Sequence, residues 1–197
     1  CAICAAGGLS MYRLAAALLL AIAGPALSAP VRYVLEPAES SVAFETDFGP
    51  DRITGRMPVT RADLTLDFDR VANSTVAVTI DVQNAEASFP FAAQAMKGPK
   101  VLDAQTWPEI TFASTSVRPA ADGATVEGNV TMRGVTRPMT LAAQIWRQTG
   151  SEPGDLSQLT VRLVGQVKRS DFGAVGWADL VGDEVRLDIL ARIARQD

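Results

Sequence analysis

Histidine is absent from this chain of 197 residues, and its only two cysteines stand at positions 1 and 4. With no imidazole, and no thiol beyond that point, His-ligated zinc, Cys–His nucleophiles and Ser-His-Asp triads are excluded from the body of the chain. No disulfide can brace it either, so a folded domain must rest on its core, which at this length can bury roughly two-thirds of the unfolded surface. Positive charge is also in short supply: 18 Lys and Arg stand against 22 Asp and Glu, a formal net charge of −4. Without a basic stripe to neutralise phosphates, nucleic acid is not expected as a partner. Gly-rich phosphate loops of Walker or Rossmann spacing are missing too.

The beginning of the sequence is read separately. Residues 1–10 precede Met11 and are taken as upstream of the translation start. From Met11 the chain reads MYRLAAALLLAIAGPALS, with basic Arg13, an apolar run from Leu14 to Ala23, and small residues after it. This layout predicts a secretory signal peptide, the run being short for a spanning helix; a retained N-terminal anchor is the alternative. Pro30 disfavours cleavage after Ala29, whereas Ala26 and Ser28 are both small, so the cut is placed after Ser28. Residues 1–28 are then the leader and 29–197 a single domain exported to the periplasm. Both cysteines and Arg13 leave with the leader, and the remainder is more acidic by one charge.

What is abundant is alternation. In Gly128–Arg147, Val130 and Met132 share one beat before the polar Arg133–Pro138 turn, and Met139, Leu141, Ala143 and Ile145 resume it. Such period-two patterning marks strands with one wet and one dry face. It recurs at Tyr33–Leu35, Val42–Phe48, Ile53–Val59, Leu64–Asp69, Val76–Val82, Glu109–Ser114, Leu159–Arg169 and Glu184–Ile193. Pro58 predicts a bulge or an edge in the third of these. The beat breaks at Ser88–Gly98, where a cap-like Ser88, Pro90 and Ala-rich residues predict a short helix, with a further turn to Asp103. The dry faces must close on one another, which predicts an all-β antiparallel barrel or sandwich of eight to ten strands with one helical insertion near 89–103.

Chemistry-bearing clusters are few. Asp63, Asp67, Asp69 and Asp81 read as outward or turn residues, so a carboxylate-pair hydrolase has no visible cleft. Asp171, Asp179, Asp183 and Glu184 match no calcium-loop spacing, and no metal is expected. Asp171 is placed to fix a turn or pair with Arg169, and Arg133 and Arg137 read as exposed turn charges, or alternatively as two guanidiniums at a barrel rim that could hold a phosphate or a carbonyl. Phe44, Phe68 and Phe112 fall on the inward beat, leaving open whether aromatics fill a core or line a cavity.

Val42-Ala43-Phe44, Gly55-Arg56-Met57, Trp107–Phe112, Gly128–Leu141, Arg169–Gly173 and Val181–Val185 occur in the order seen in the YceI family, and the chain resembles it from Tyr33 to Ile193. The resemblance implies an extended lipocalin-like antiparallel β-barrel of about eight strands that holds a polyisoprenoid or similar amphiphile in a long pore, without catalysis. Departures exist: Tyr33, Val34-Leu35-Glu36 and Glu39-Ser40 replace the family's usual Trp, Ile-Asp and His-Ser, and Ala95-Met96 replaces a frequent His-Leu pair. The resulting expectation is an apolar tunnel binding an isoprenoid lipid of quinone or polyprenyl type. Phe44, Phe68, Phe112, Met132 and Ile145 would line it, with Met96, Leu102, Phe172 and Trp177 near its ends. No cofactor beyond such a lipid is expected, and dimerisation is left open. The rival reading is a solid-cored module that binds a partner protein; the acidic, Thr-rich outer beat offers it no apolar patch.

Overall fold

A computed structural model describes residues 29–196; the leader read at residues 1–28 lies outside the described residues. Among the described residues, eleven strands form a single sheet that closes on itself, with one α-helix inserted between them. They are β1 (Val31–Leu35), β2 (Ser41–Phe48), β3 (Asp51–Met57), β4 (Val59–Leu66), β5 (Thr75–Asp81), β6 (Glu86–Ala87), β7 (Glu109–Ala120), β8 (Gly123–Met132), β9 (Val135–Arg147), β10 (Gln158–Lys168) and β11 (Val181–Arg195). The helix α1 spans Pro90–Lys97.

The wall has eight positions. Glu36-Pro37 breaks one long strand into β1 and β2, and Pro58, which has no N–H to give the ladder, breaks the next into β3 and β4. β1 pairs with β4 and β2 with β3, so each broken strand occupies one place in the barrel. From there the order runs β5, β7, β8, β9, β10, β11, and β11 closes the circle on both β1 and β2. All pairings are antiparallel. The predicted irregularity near Pro58 is present as a register shift between Val59 and Arg61. β3 finds only the two-residue β6 on its outer side, through Gly55–Ala87 and Arg56–Glu86. Strict alternation also decided β11 correctly, since DEVRLDILARIAR is a strand and not an amphipathic helix.

Three local expectations are corrected. Ser88 does not cap α1: the cap is Phe89, with no side-chain bond to the helix. Ser88 instead ties the insertion to β3, donating its N–H to Thr54 O at 2.7 Å and accepting the Thr54 N–H on Oγ. The fourth strand stops at Leu66 and not at Asp69, because Asp67 turns the chain. Asp67 is not a solvated face residue; it is 3% exposed, and its carboxylate accepts N–H bonds from Asp69 and Arg70 and from the Asn73 amide. The strand at Glu109 continues past Ser114 to Ala120 through a bulge.

The bonds from Asn73 and from the Arg70 backbone hold the Asp67 carboxyl below the usual carboxylate range. Ser157 does the same for Asp155, and Ser170 for Asp183. Each group binds a proton more weakly folded than unfolded, so its contribution is complete above the ordinary carboxylate value and is lost as pH falls through the lowered one. Thermal melts should therefore hold a steady Tm down to about pH 4 and fall below it. Asp67→Asn should flatten that acid limb; an unchanged limb would remove Asp67 from the account.

Candidate functional site

The inward beat of the wall carries mid-sized aliphatic residues and, at three places, no side chain at all. Gly55, Gly128 and Gly165 occupy the inward positions between Ile53 and Met57, Val126 and Val130, and Leu163 and Val167. Each glycine is roofed by a neighbour's side chain. A Cβ on Gly128 would stand 2.5 Å from the Phe112 ring and from Ala113 O, and one on Gly165 would stand 2.7 Å from Leu141 Cδ2. The Phe44 ring covers Gly55 in the same way. The large side chains thus lie along the wall instead of meeting at the axis, and the barrel stays hollow.

The hollow is a cavity of about 1030 Å³, at the upper end of what small-molecule sites usually offer. Its lining is overwhelmingly apolar and runs the length of the barrel, from Phe68 and Ile145 at one end to Met96 and Trp177 at the other. Eight of the nine residues singled out from the sequence face it: Phe44, Phe68, Met96, Leu102, Phe112, Met132, Ile145 and Trp177. Phe172 does not. A short turn at Arg169–Phe172, ended by Gly173 in the left-handed region, swings its ring into packed protein with Leu102, where it is 2% exposed. At the Phe68 end, Phe68 stands edge-on to Tyr33 with 6.2 Å between ring centres, beside a cluster of Leu64, Leu159 and Ile193. The Tyr33 hydroxyl donates to Leu156 O.

The opposite end is built by α1 and the loop between β10 and β11. Phe91, Trp177 and Leu180 line the cavity and are also exposed, Phe91 by 63%. Val175 and Trp107 add further exposed apolar area in the segments packed there. This exposed apolar area lies on the helix and loops of the mouth, away from the outer beat of the strands on which no patch was expected. Trp177 holds φ at +52°, a conformation that a bulky residue adopts at a cost of about 1–3 kcal/mol.

Arg169 organises that loop. It is 7% exposed, and its guanidinium donates to four carbonyls: Nε to Gly182 O at 2.8 Å, Nη1 to Ala174 O at 2.6 Å and Gly176 O at 2.8 Å, and Nη2 to Val181 O at 2.8 Å. Of the two roles read for Asp171, pairing with Arg169 is absent among the described residues. Asp183 takes the fixing role instead, accepting the Ser170 N–H and hydroxyl. Arg133 is likewise more than an exposed turn charge, since its Nη1 donates to Pro99 O and Val101 O and anchors the segment after α1.

Few polar side chains border the cavity, and most are occupied. Thr46 donates to Gly182 O and Glu184 O, Ser40 donates to Glu36 O, and Ser74 accepts the Asp67 N–H. Alternation made the lining legible, but the glycines on the inward beat went unread. They are the signal, visible in the sequence, that this barrel is not solid.

A family model described as the YceI-like domain matches residues 33–193. Protein YceI of Salmonella arizonae is 27% identical over 172 residues, covering 87% of this chain and 90% of that protein; the Salmonella agona protein of the same name matches equally. Among solved structures, Burkholderia cenocepacia BcnA superposes with a TM-score of 0.69 at 22% identity, over 81% of this chain and 99% of that one. A polyisoprenoid binding domain from Saccharophagus degradans, implicated in plant cell wall breakdown, gives 0.58 at 13% identity over 84% and 99%. These likenesses share the closed barrel.

Proposed function

Because this chain belongs to the YceI-like family, we propose that it binds and carries an amphiphilic isoprenoid lipid, of quinone or polyprenyl type, without catalysis. One observation carries the reading: a hollow of about 1030 Å³ whose wall is apolar along its length. Moving a hydrocarbon tail from water into it gains about 25 cal/mol per Å² of apolar surface. A tail that loses several hundred Å² outweighs the cost of its own ordering by this measure. The fold likeness to a domain named for polyisoprenoid binding supports the same class of cargo. Export to the periplasm is proposed with it, on the leader read at Met11–Ser28.

The test is mass spectrometry of organic extracts from protein purified out of the compartment that holds it. A long isoprenoid chain in near-stoichiometric amount is the expected result, and an extract free of any such chain would overturn the proposal. Within the wall, Met132→Glu places a charge beside the tail and should reduce retained lipid at least about ten-fold. Undiminished lipid in that variant would take Met132 off the binding surface. A solid-cored interaction module is disfavoured by the open lumen itself.

A further inference from the structure

Every methionine among the described residues borders the lumen: Met57, Met96, Met132 and Met139. Met57 ends β3, Met132 ends β8 and Met139 lies in β9, each on the inward beat of its strand, while Met96 comes from α1. All four belong to the larger of the two apolar clusters, and the cluster around Tyr33, Leu64, Leu159 and Ile193 contains none. Sulfur is thus gathered in one part of the tunnel.

No cysteine stands among the described residues, so these thioethers are the only sulfur an oxidant can meet there. Met57, Met96 and Met132 are half-buried, whereas Met139 is 8% exposed. Met57 and Met132 point inward, so the surface they keep is surface toward the hollow. A filled lumen covers it, and an empty one admits water and solutes of similar size.

A thioether is polarizable and packs well against hydrocarbon. Its sulfoxide is polar and carries an acceptor oxygen. The lumen has little to offer that oxygen, since Ser40, Thr46 and Arg169 already donate to backbone carbonyls. Sulfoxides in the wall would therefore draw in water, and a hydrocarbon beside them would lose much of its gain on leaving water.

We propose that Met57, Met96 and Met132 are oxidation sites for a small hydroperoxide, that their conversion to sulfoxides expels the apolar cargo, and that bound cargo shields them. This rests on the lipid-binding reading and adds a chemical control of occupancy to it. In the step, a sulfur lone pair attacks one peroxide oxygen and the O–O bond breaks. With hydrogen peroxide, the proton on the transferred oxygen passes to the departing hydroxide, giving sulfoxide and water. Sulfur is oxidised by two electrons and the peroxide is reduced by two. Methionine sulfoxide reductases reverse the change.

Each of the four methionines falls on its own tryptic peptide, so mass spectrometry reads them separately. The delipidated protein is treated with hydrogen peroxide in the presence and absence of squalene, a probe that is hydrocarbon throughout. Met57, Met96 and Met132 should oxidise at least about five-fold faster without squalene than with it, and Met139 slowly in both. Squalene retained after oxidation should fall at least about ten-fold while the circular dichroism of the barrel is unchanged. Methionine sulfoxide reductase should restore it. The M57L/M96L/M132L variant keeps side-chain volume and, compared with its own untreated state, should lose no squalene to peroxide. Oxidation at one rate with and without squalene, squalene held undiminished by the oxidised protein, unfolding on oxidation, or an equal loss from the leucine variant would each overturn the proposal. Untreated protein that takes up neither squalene nor geranylgeraniol overturns the lipid-binding reading itself.

Discussion

Replacing Arg169 with methionine is expected to cost about 3–5 kcal/mol and lower Tm by roughly 10 °C or more. Methionine matches the guanidinium's stem in bulk, so the loss is not one of volume. It leaves the carbonyls of Ala174, Gly176, Val181 and Gly182 without their donor. All four belong to the loop and strand start that carry Trp177 and Leu180 at the mouth. Hydrogen bonds to a charged donor are worth more than neutral ones, and orphaned buried carbonyls bear the full desolvation penalty. Arg169→Lys should recover only part of the loss, because an ammonium cannot present the guanidinium's fork. Calorimetry of the variants decides the matter: a Tm within a degree or two of the parent would show that the loop holds itself.

Gly128→Val should narrow the tunnel and destabilise the barrel together. Its Cβ would lie 2.5 Å from both the Phe112 ring and Ala113 O. The ring can swing away and its only free direction is the lumen, but the backbone oxygen cannot yield without disturbing the β7–β8 ladder. Overpacking of this kind costs about 1–3 kcal/mol, or a Tm lower by roughly 2–10 °C. Retained lipid should fall by more than stability alone accounts for, since the displaced phenyl occupies the place of the tail. Measuring extracted lipid per folded protein separates the two effects. A variant that is destabilised yet fully loaded would show that Phe112 finds another place on the wall.

Much of this architecture was readable beforehand because a strand buried on one face writes its burial into every second residue. Val126, Val130, Met139, Leu141 and Ala143 announce both the strand and its inner side. Phe44, Phe68, Phe112, Met132 and Ile145 were placed on the lumen by that parity, whereas Met96, Leu102 and Trp177 lie on the helix and loops, where no parity operates. Phe172 escaped it because the beat ends with β10, and a short helical turn and a left-handed glycine then set the direction of its ring. The partners of Arg169 stayed open for a related reason. In sequence, an arginine beside an aspartate suggests an ion pair, whereas its partners are carbonyls of a loop brought back by the fold. Ser88 shows the same limit, since a cap signature cannot reveal a β bridge to Thr54. Hollowness was the hardest feature to read. Parity says which side chains point inward but not how far they reach, and that depended on which neighbour lies opposite Gly55, Gly128 and Gly165.

The circle closes only where the final strand meets the first two, across almost the whole length of the chain. Contacts of such long sequence separation carry the largest loop-closure cost and form late. Until that seam zips, the molecule is an open trough with its oily side uncovered. A hydrocarbon present at that moment is wrapped by the last strand and need not thread through the mouth. Under the lipid-binding proposal, assembly and first loading would then be a single event.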